Sequence, residues 1–107
     1  MMIRIPSTLQ EALQELESQL SVEDKEKILA MEEWEYIRLS KIFISDKLKM
    51  QWLRSQDSPL KKFFKAEGLF HEDDMSDIIM RSFYRHLKGE DIRYEEQLEG
   101  KSRYKQP

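Results

Sequence analysis

The apolar positions between Trp34 and Arg54, WEYIRLSKIFISDKLKMQWLR, do not fall on a single line, and this is the longest run free of Gly and Pro of which that is true. At 100° per residue, Leu39, Ile42, Phe43, Met50 and Leu53 gather on one face with Tyr36 at its margin, while Trp34, Ile37, Ile44 and Leu48 gather on the other. A surface helix needs only one stripe. The pattern therefore predicts a central, two-faced helix, about 30 Å long at 1.5 Å per residue, covered on both sides by shorter helices.

The same periodicity places those shorter helices. Leu9, Ala12, Leu13, Leu16 and Leu20 form a narrow stripe over Thr8 to about Gln19, opened by Pro6 and by Ser7 and Gln10 in capping-box spacing. Ser21 is the next cap, with Asp24 at the third helical position, and Val22 to about Met31 should bury chiefly Ile28 and Leu29. Glu32 and Glu33 begin the central helix, which is nearly continuous with the one before it. Ser58-Pro59 opens and Gly68 closes a short helix whose Leu60, Phe63 and Phe64 share a face, so both phenylalanines are expected to be mostly buried, as a plug against the central helix. Glu72, Asp73 and Asp74 lead into a helix reaching Lys88 and stopping at Gly89, with Asp73 or Asp74 as cap and Met75, Ile78, Ile79, Phe83 and Leu87 on its core face. Asp91 caps a last helix from Ile92 to about Glu99, ended by Gly100. Residues 101–107, KSRYKQP, are too polar to fold alone and read as a mobile tail.

Composition agrees with an all-α class: of 107 residues 36% are charged and 39% hydrophobic, with only three Gly and three Pro. That is a single compact domain over residues 1–100, of five or six helices, large enough to bury a core without staples. Cysteine is absent, which removes disulfides, thiolate catalysis and thiolate-bound zinc, and fits a reducing cytoplasm. No signal-peptide core or membrane span is visible, so a cytoplasmic chain without membrane contact is expected. Net charge is −3 but unevenly spread: residues 1–35 carry 3 basic and 9 acidic side chains, residues 36–70 carry 8 and 3, and residues 71–107 carry 7 and 9. Internal matching of acidic and basic helices is the ordinary consequence, and steering of a charged partner the functional one.

Candidate chemistry is sparse. His71, Asp73, Asp74 and His86 are the only group suggestive of a metal or of acid–base work, but His86 lies turns away along the same helix and a third close ligand is lacking, so no metal and no cofactor is expected. No Gly-rich loop can cradle phosphate, and no Ser has His-Asp support, so no catalytic residue is assigned. Arg38, Lys41, Ser45 and Lys49 form a polar line continued by Lys61, Lys62 and Lys65; with Trp52, Phe63 and Phe64 nearby it resembles a nucleic-acid surface, although those phenylalanines sit at core spacing. Arg81, Tyr84, Arg85 and Lys88 fall off the core face of their helix, and Tyr and Arg are enriched where binding energy concentrates, so these four are the expected partner-binding residues.

The segment Ser58 to Gly89, SPLKKFFKAEGLFHEDDMSDIIMRSFYRHLKG, resembles a family of small bacterial proteins known only as a domain of unknown function. The shared features are Ser-Pro-Leu, the aromatic plug, Gly, then His71, Asp73-Asp74-Met75-Ser76, Ile78-Ile79 and an aromatic-rich helix closed by Leu87 and Gly89. The opening PSTLQEALQEL and Ser21 to Lys25 are similar too, whereas Ser45-Asp46 replaces a basic residue followed by Asn in the central helix. The resemblance implies the fold, and small helical proteins of such families look like antitoxins or immunity partners of toxins. The expectation is thus a non-enzymatic protein-binding module, an immunity or inhibitor protein that occludes a toxin or effector. A nucleic-acid-associated regulator using the basic central segment is the alternative, and an enzyme or metalloprotein of unknown type comes third.

Overall fold

Local signals set most helix ends in the computed structural model, which describes residues 5–105 and their side chains as far as Lys101. Its helices are α1 (Leu9–Ser18), α2 (Val22–Leu29), α3 (Glu33–Phe43), α4 (Ser45–Leu48), α5 (Pro59–Ala66), α6 (Glu72–Lys88) and α7 (Tyr94–Lys105), with a π-helical turn at Lys49–Leu53, and the described residues contain no strand. Thr8, not Ser7, caps α1: its hydroxyl accepts from the Glu11 N–H at 3.1 Å while the Glu11 carboxylate accepts from the Ser7 N–H at 3.1 Å. A carboxylate suits the positive helix start better than the Gln10 amide would, which explains the shift by one residue. Ser21 accepts from the Asp24 N–H as expected, and Glu35 accepts from the Glu32 N–H, a bond that opens α3 separately from α2.

Ser58 is fully buried and does two jobs, accepting from the Lys61 N–H to cap α5 and donating to the Trp52 carbonyl to tie α5 to the π-turn. Gly68 (φ 90°) and Gly89 (φ 73°) take the left-handed conformation that ends α5 and α6. The cap of α6 is His71, so Asp73 and Asp74 stand inside the first turn beside Glu72 rather than at the cap. Gly100 does not stop α7. Helix continues through it to Lys105, anchored just beyond it by Lys101 at 2.8 Å from Asp77 on α6. The expected polar tail is therefore helical over 101–105, and Gln106 and Pro107 lie outside the described residues.

The largest correction concerns the centre. The Trp34 to Arg54 helix is interrupted at Ile44 (φ −118°) and widens into the π-turn, where the Arg54 N–H reaches the Lys49 carbonyl at 2.8 Å. A π-turn adds a residue to the turn and rotates the side chains beyond it about the helix axis. Trp52 and Leu53 are thereby both buried while Met50 stays 62% exposed, although a single wheel groups Met50 with Leu53. Upstream only one face is covered, through Tyr36, Ile37 and Ser40. The hub is α6, which touches every other helix and buries Met75, Ile78, Ile79, Met80, Phe83 and Tyr84. Phe64 is fully buried as the plug, and Phe63 is half-buried, with Tyr94 of α7 stacked on it at 6.4 Å.

Candidate protein-interaction face

The residues expected to meet a partner are instead what fastens α6 to α2 and α3. Tyr84 is buried, stacks on Tyr36 at 5.8 Å and donates its hydroxyl to the Met31 carbonyl. Arg85 is buried too. Its guanidinium binds both oxygens of Glu33, at 2.7 and 3.2 Å, and the Ile92 carbonyl at 2.9 Å. Arg81 adds a bond to Glu33 at 3.1 Å and one to Asp77 at 3.3 Å. Of the four only Lys88 is exposed, and its ammonium donates to the Leu29 carbonyl at 3.0 Å and lies over the Tyr84 ring. The helical wheel placed these side chains correctly around α6 but could not show that α2 and α3 arrive on that side. Burial pushes the Glu33 carboxyl up, yet Arg85 and Arg81 outweigh it and hold it below its ordinary value. Asp77 behaves likewise: burial raises it, but Lys101 and Arg81 outweigh that and hold it below its ordinary value.

The basic line of the middle segment divides. Lys49 bonds Asp73 at 2.6 Å, an interaction that raises the lysine and lowers the carboxylate, and Lys61 lies 3.5 Å from Glu72, so both answer α6 and not α1 or α2 as expected. Arg38, Lys41, Lys62 and Lys65 remain exposed, while Trp52 and Phe64 are buried and unavailable for stacking. Ser45 is buried against Ser76, hydroxyl to hydroxyl at 3.1 Å, so its small side chain serves close approach of α4 to α6, and the neighbouring Asp46 points outward. His71 occupies the N-cap position of α6, without a capping bond from its ring, while His86, at the other end, is 2.7 Å from Glu17. The two histidines are thus about 22 Å apart along the helix, and among the described residues no three His, Asp or Glu side chains come together as a metal site. A cleft of about 560 Å3 between α6 and α7 is lined by Asp74, Asp77, Arg81, Arg85 and Lys101, whose charges are engaged with one another and with Glu33.

What stands open is apolar. Trp34 (63% exposed), Ile42 (62%) and Phe43 (74%), with Leu39 between them, form the outer side of α3, and Ile44 and Met50 continue it past the bend. By helical spacing Trp34, Arg38 and Ile42 make one ridge and Glu35, Leu39 and Phe43 the next, so these side chains adjoin rather than scatter. Beside the second ridge a groove of about 280 Å3 runs between Leu16 of α1 and Leu20 just after it on one side and Ile44 and Lys47 on the other, floored by buried Leu48, Trp52, Met80 and Phe83. The sequence groups Leu39, Ile42, Phe43 and Met50 on one of the two faces of the central segment but sets Trp34 and Ile44 on the other, so the stripe draws on both. Its exposure was not legible, because periodicity shows that a face is apolar and not what covers it.

An all-α domain of this kind, with no helix among the described residues long and apolar enough to cross a membrane, is a helical scaffold carrying an open apolar face. Residues 5–87 match the family described as Domain of unknown function (DUF6794), and the chain belongs to that family. The match ends one residue before α6 does, leaving α7 outside it. No curated protein and no solved structure matches the chain.

Proposed function

We propose that the chain is a non-catalytic protein-binding module that works in a reducing cytoplasm by docking another protein on the outer side of α3 and α4, as an immunity or inhibitor protein occludes a toxin or effector. The supporting observation is the exposed, adjoining set Trp34, Leu39, Ile42, Phe43 and Met50. Single exposed apolar residues are ordinary, but Leu39, Ile42 and Phe43 adjoin on α3, with Trp34 and Met50 exposed to either side of them, and such a cluster offers a hydrophobic gain to a partner that covers it. The site moves from the α6 residues to α3 because Tyr84 and Arg85 are already spent inside the fold. The test is affinity capture from the protein's own cells with the tagged chain and with an Ile42→Asp/Phe43→Asp double variant shown by circular dichroism to be folded. A protein retained in stoichiometric amount by the first and lost by the second supports the reading. Retention of nucleic acid alone, or of the same proteins by both, overturns it.

The exposed Arg38, Lys41, Lys62 and Lys65 support a second reading, a nucleic-acid-associated regulator. Such binding would weaken steeply with salt and fall on Lys62→Glu, with little response to Phe43→Asp.

A further inference from the structure

We propose that α7 is exchanged between two copies of the chain, each copy laying its α7 on α6 of the other in a reciprocal dimer. The starting point is how lightly α7 is held. Tyr94, Gln97, Leu98 and Lys101, spaced i, i+3, i+4 and i+7, form its inner side, and each is only half-buried, whereas α6 buries Met75, Ile78 and Ile79 completely. Tyr94 stacks on Phe63 of α5 at 6.4 Å, the Gln97 amide donates to the Ser82 hydroxyl at 3.1 Å, and Lys101 lies 2.8 Å from Asp77. The fit is imperfect as well. The Tyr94 hydroxyl and the Gln97 carbonyl oxygen are shut away from water with no hydrogen-bond partner among the described residues, which costs stability in the docked position. An element with so few buried apolar contacts is among the first to open.

The hinge is short and strained. Four residues, Glu90 to Arg93, join Gly89 to α7. The Arg85 guanidinium holds the Ile92 carbonyl at 2.9 Å, so the chain stays on α6 as far as Ile92 and the pivot falls on Arg93. Arg93 has φ 49°, in the left-handed region where its Cβ crowds the following carbonyl, and among the described residues no other side-chain-bearing residue has a positive φ. Turning α7 outward lets Arg93 return to an ordinary conformation, and a short hinge under strain favours exchange over folding back. The helix that fits the place α7 leaves is the α7 of a second copy, because it brings the same Tyr94, Gln97 and Lys101 to Phe63, Ser82 and Asp77. Contacts between α6 and α7 are then equal in monomer and dimer. The balance is set by relief at Arg93 against the lost freedom of two chains, and it moves with concentration.

The experiment is light scattering of the purified full chain across a concentration series. A dimer is expected at high concentration, returning to monomer on dilution. Lys101→Glu, which sets a carboxylate against Asp77 and Asp74, should abolish it. Arg93→Gly should weaken association about tenfold or more, because glycine bears no strain in the closed chain and two such residues are relieved in each dimer. Phe43→Asp should leave the dimer unchanged, which separates exchange of α7 from pairing through the open face of α3. A wild-type chain that is monomeric at every concentration, a dimer indifferent to either Lys101→Glu or Arg93→Gly, or a dimer lost on Phe43→Asp overturns the proposal.

Discussion

Glu33 shows how a side chain with no conspicuous motif around it can decide the position of two helices. It stands in the first turn of α3 and accepts from both Arg81 and Arg85 of α6, and Arg85 is buried at 9% exposure with its remaining donors on the Ile92 carbonyl. Removing the carboxylate would leave a buried guanidinium short of its partner, a loss far larger than that of an exposed ion pair. Glu33→Ala is expected to cost about 2 to 3 kcal/mol in urea unfolding, and Arg81→Ala less, because Arg85 would still hold Glu33. The phenylalanine pair divides in a similar way. Phe64 is fully buried and Phe63 half-buried, so Phe64→Ala should cost about 3 to 5 kcal/mol and Phe63→Ala visibly less. Equal losses would mean that α7 covers Phe63 more completely than the single stacked Tyr94 suggests. Leu60 and the phenylalanines announce the shared face of α5 in the sequence, but the ranking of the two rings depends on α7, which arrives from residues far along the chain.

The helices themselves were largely legible, because their ends are fixed by short-range chemistry: Ser21 with Asp24, Ser58 with Pro59, and glycines at positive φ after α5 and α6. Three features were not. The bend at Ile44 and the π-turn after it come from the fit of Ser45 to Ser76 and of Trp52 to the core, contacts that join residues distant in sequence, and no local breaker marks them. The choice of covered face on α3 belongs to the same class, and with it the location of the candidate site. The third is α7. Gly100 reads as a stop, yet it lies inside the helix, and a Cβ built there meets no atom within 4 Å. A glycine inside a helix weakens it by about 0.5 to 1 kcal/mol relative to alanine, through the freedom it retains when unfolded. Gly100→Ala should therefore stabilise α7 by about that amount, seen as slower amide exchange in α7 with exchange in α1 unchanged. Faster exchange would place Gly100 back as a terminus. Gly89→Ala should do the opposite, since its φ of 73° strains any side chain.

Seen end to end, the uneven charge of the sequence resolves into one arrangement around α6. Its first turns carry Glu72, Asp73, Asp74 and Asp77, which meet Lys61, Lys49 and Lys101; its last turns carry Arg81, Arg85 and His86, which meet Glu33 and Glu17. Acid at the start and base at the end also complement the helix dipole. The acidic N-terminal third and the basic middle thus lie against opposite ends of one helix, which is why neither needs the other, and Arg38 and Lys41 of α3 stay exposed on the outside. This arrangement implies a definite response to acid. The carboxyls of Asp77 and Glu33 sit below their ordinary values of 3.8 and 4.5, because paired cations outweigh the opposing effect of burial. A carboxyl with a lower folded than unfolded pKa contributes fully above the unfolded value and loses that contribution as pH falls through the folded one. The urea midpoint should therefore fall through the carboxylate range below those two values. Asp77→Asn, whose amide cannot be protonated there and pairs only weakly with Lys101, should start lower at neutral pH and fall less steeply, so that the two curves converge in acid. Curves that stay parallel throughout would mean that Asp77 gains as little from Lys101 and Arg81 in the folded chain as it does in the unfolded one, and that α7 is held by its other contacts, among them Gln97 with Ser82.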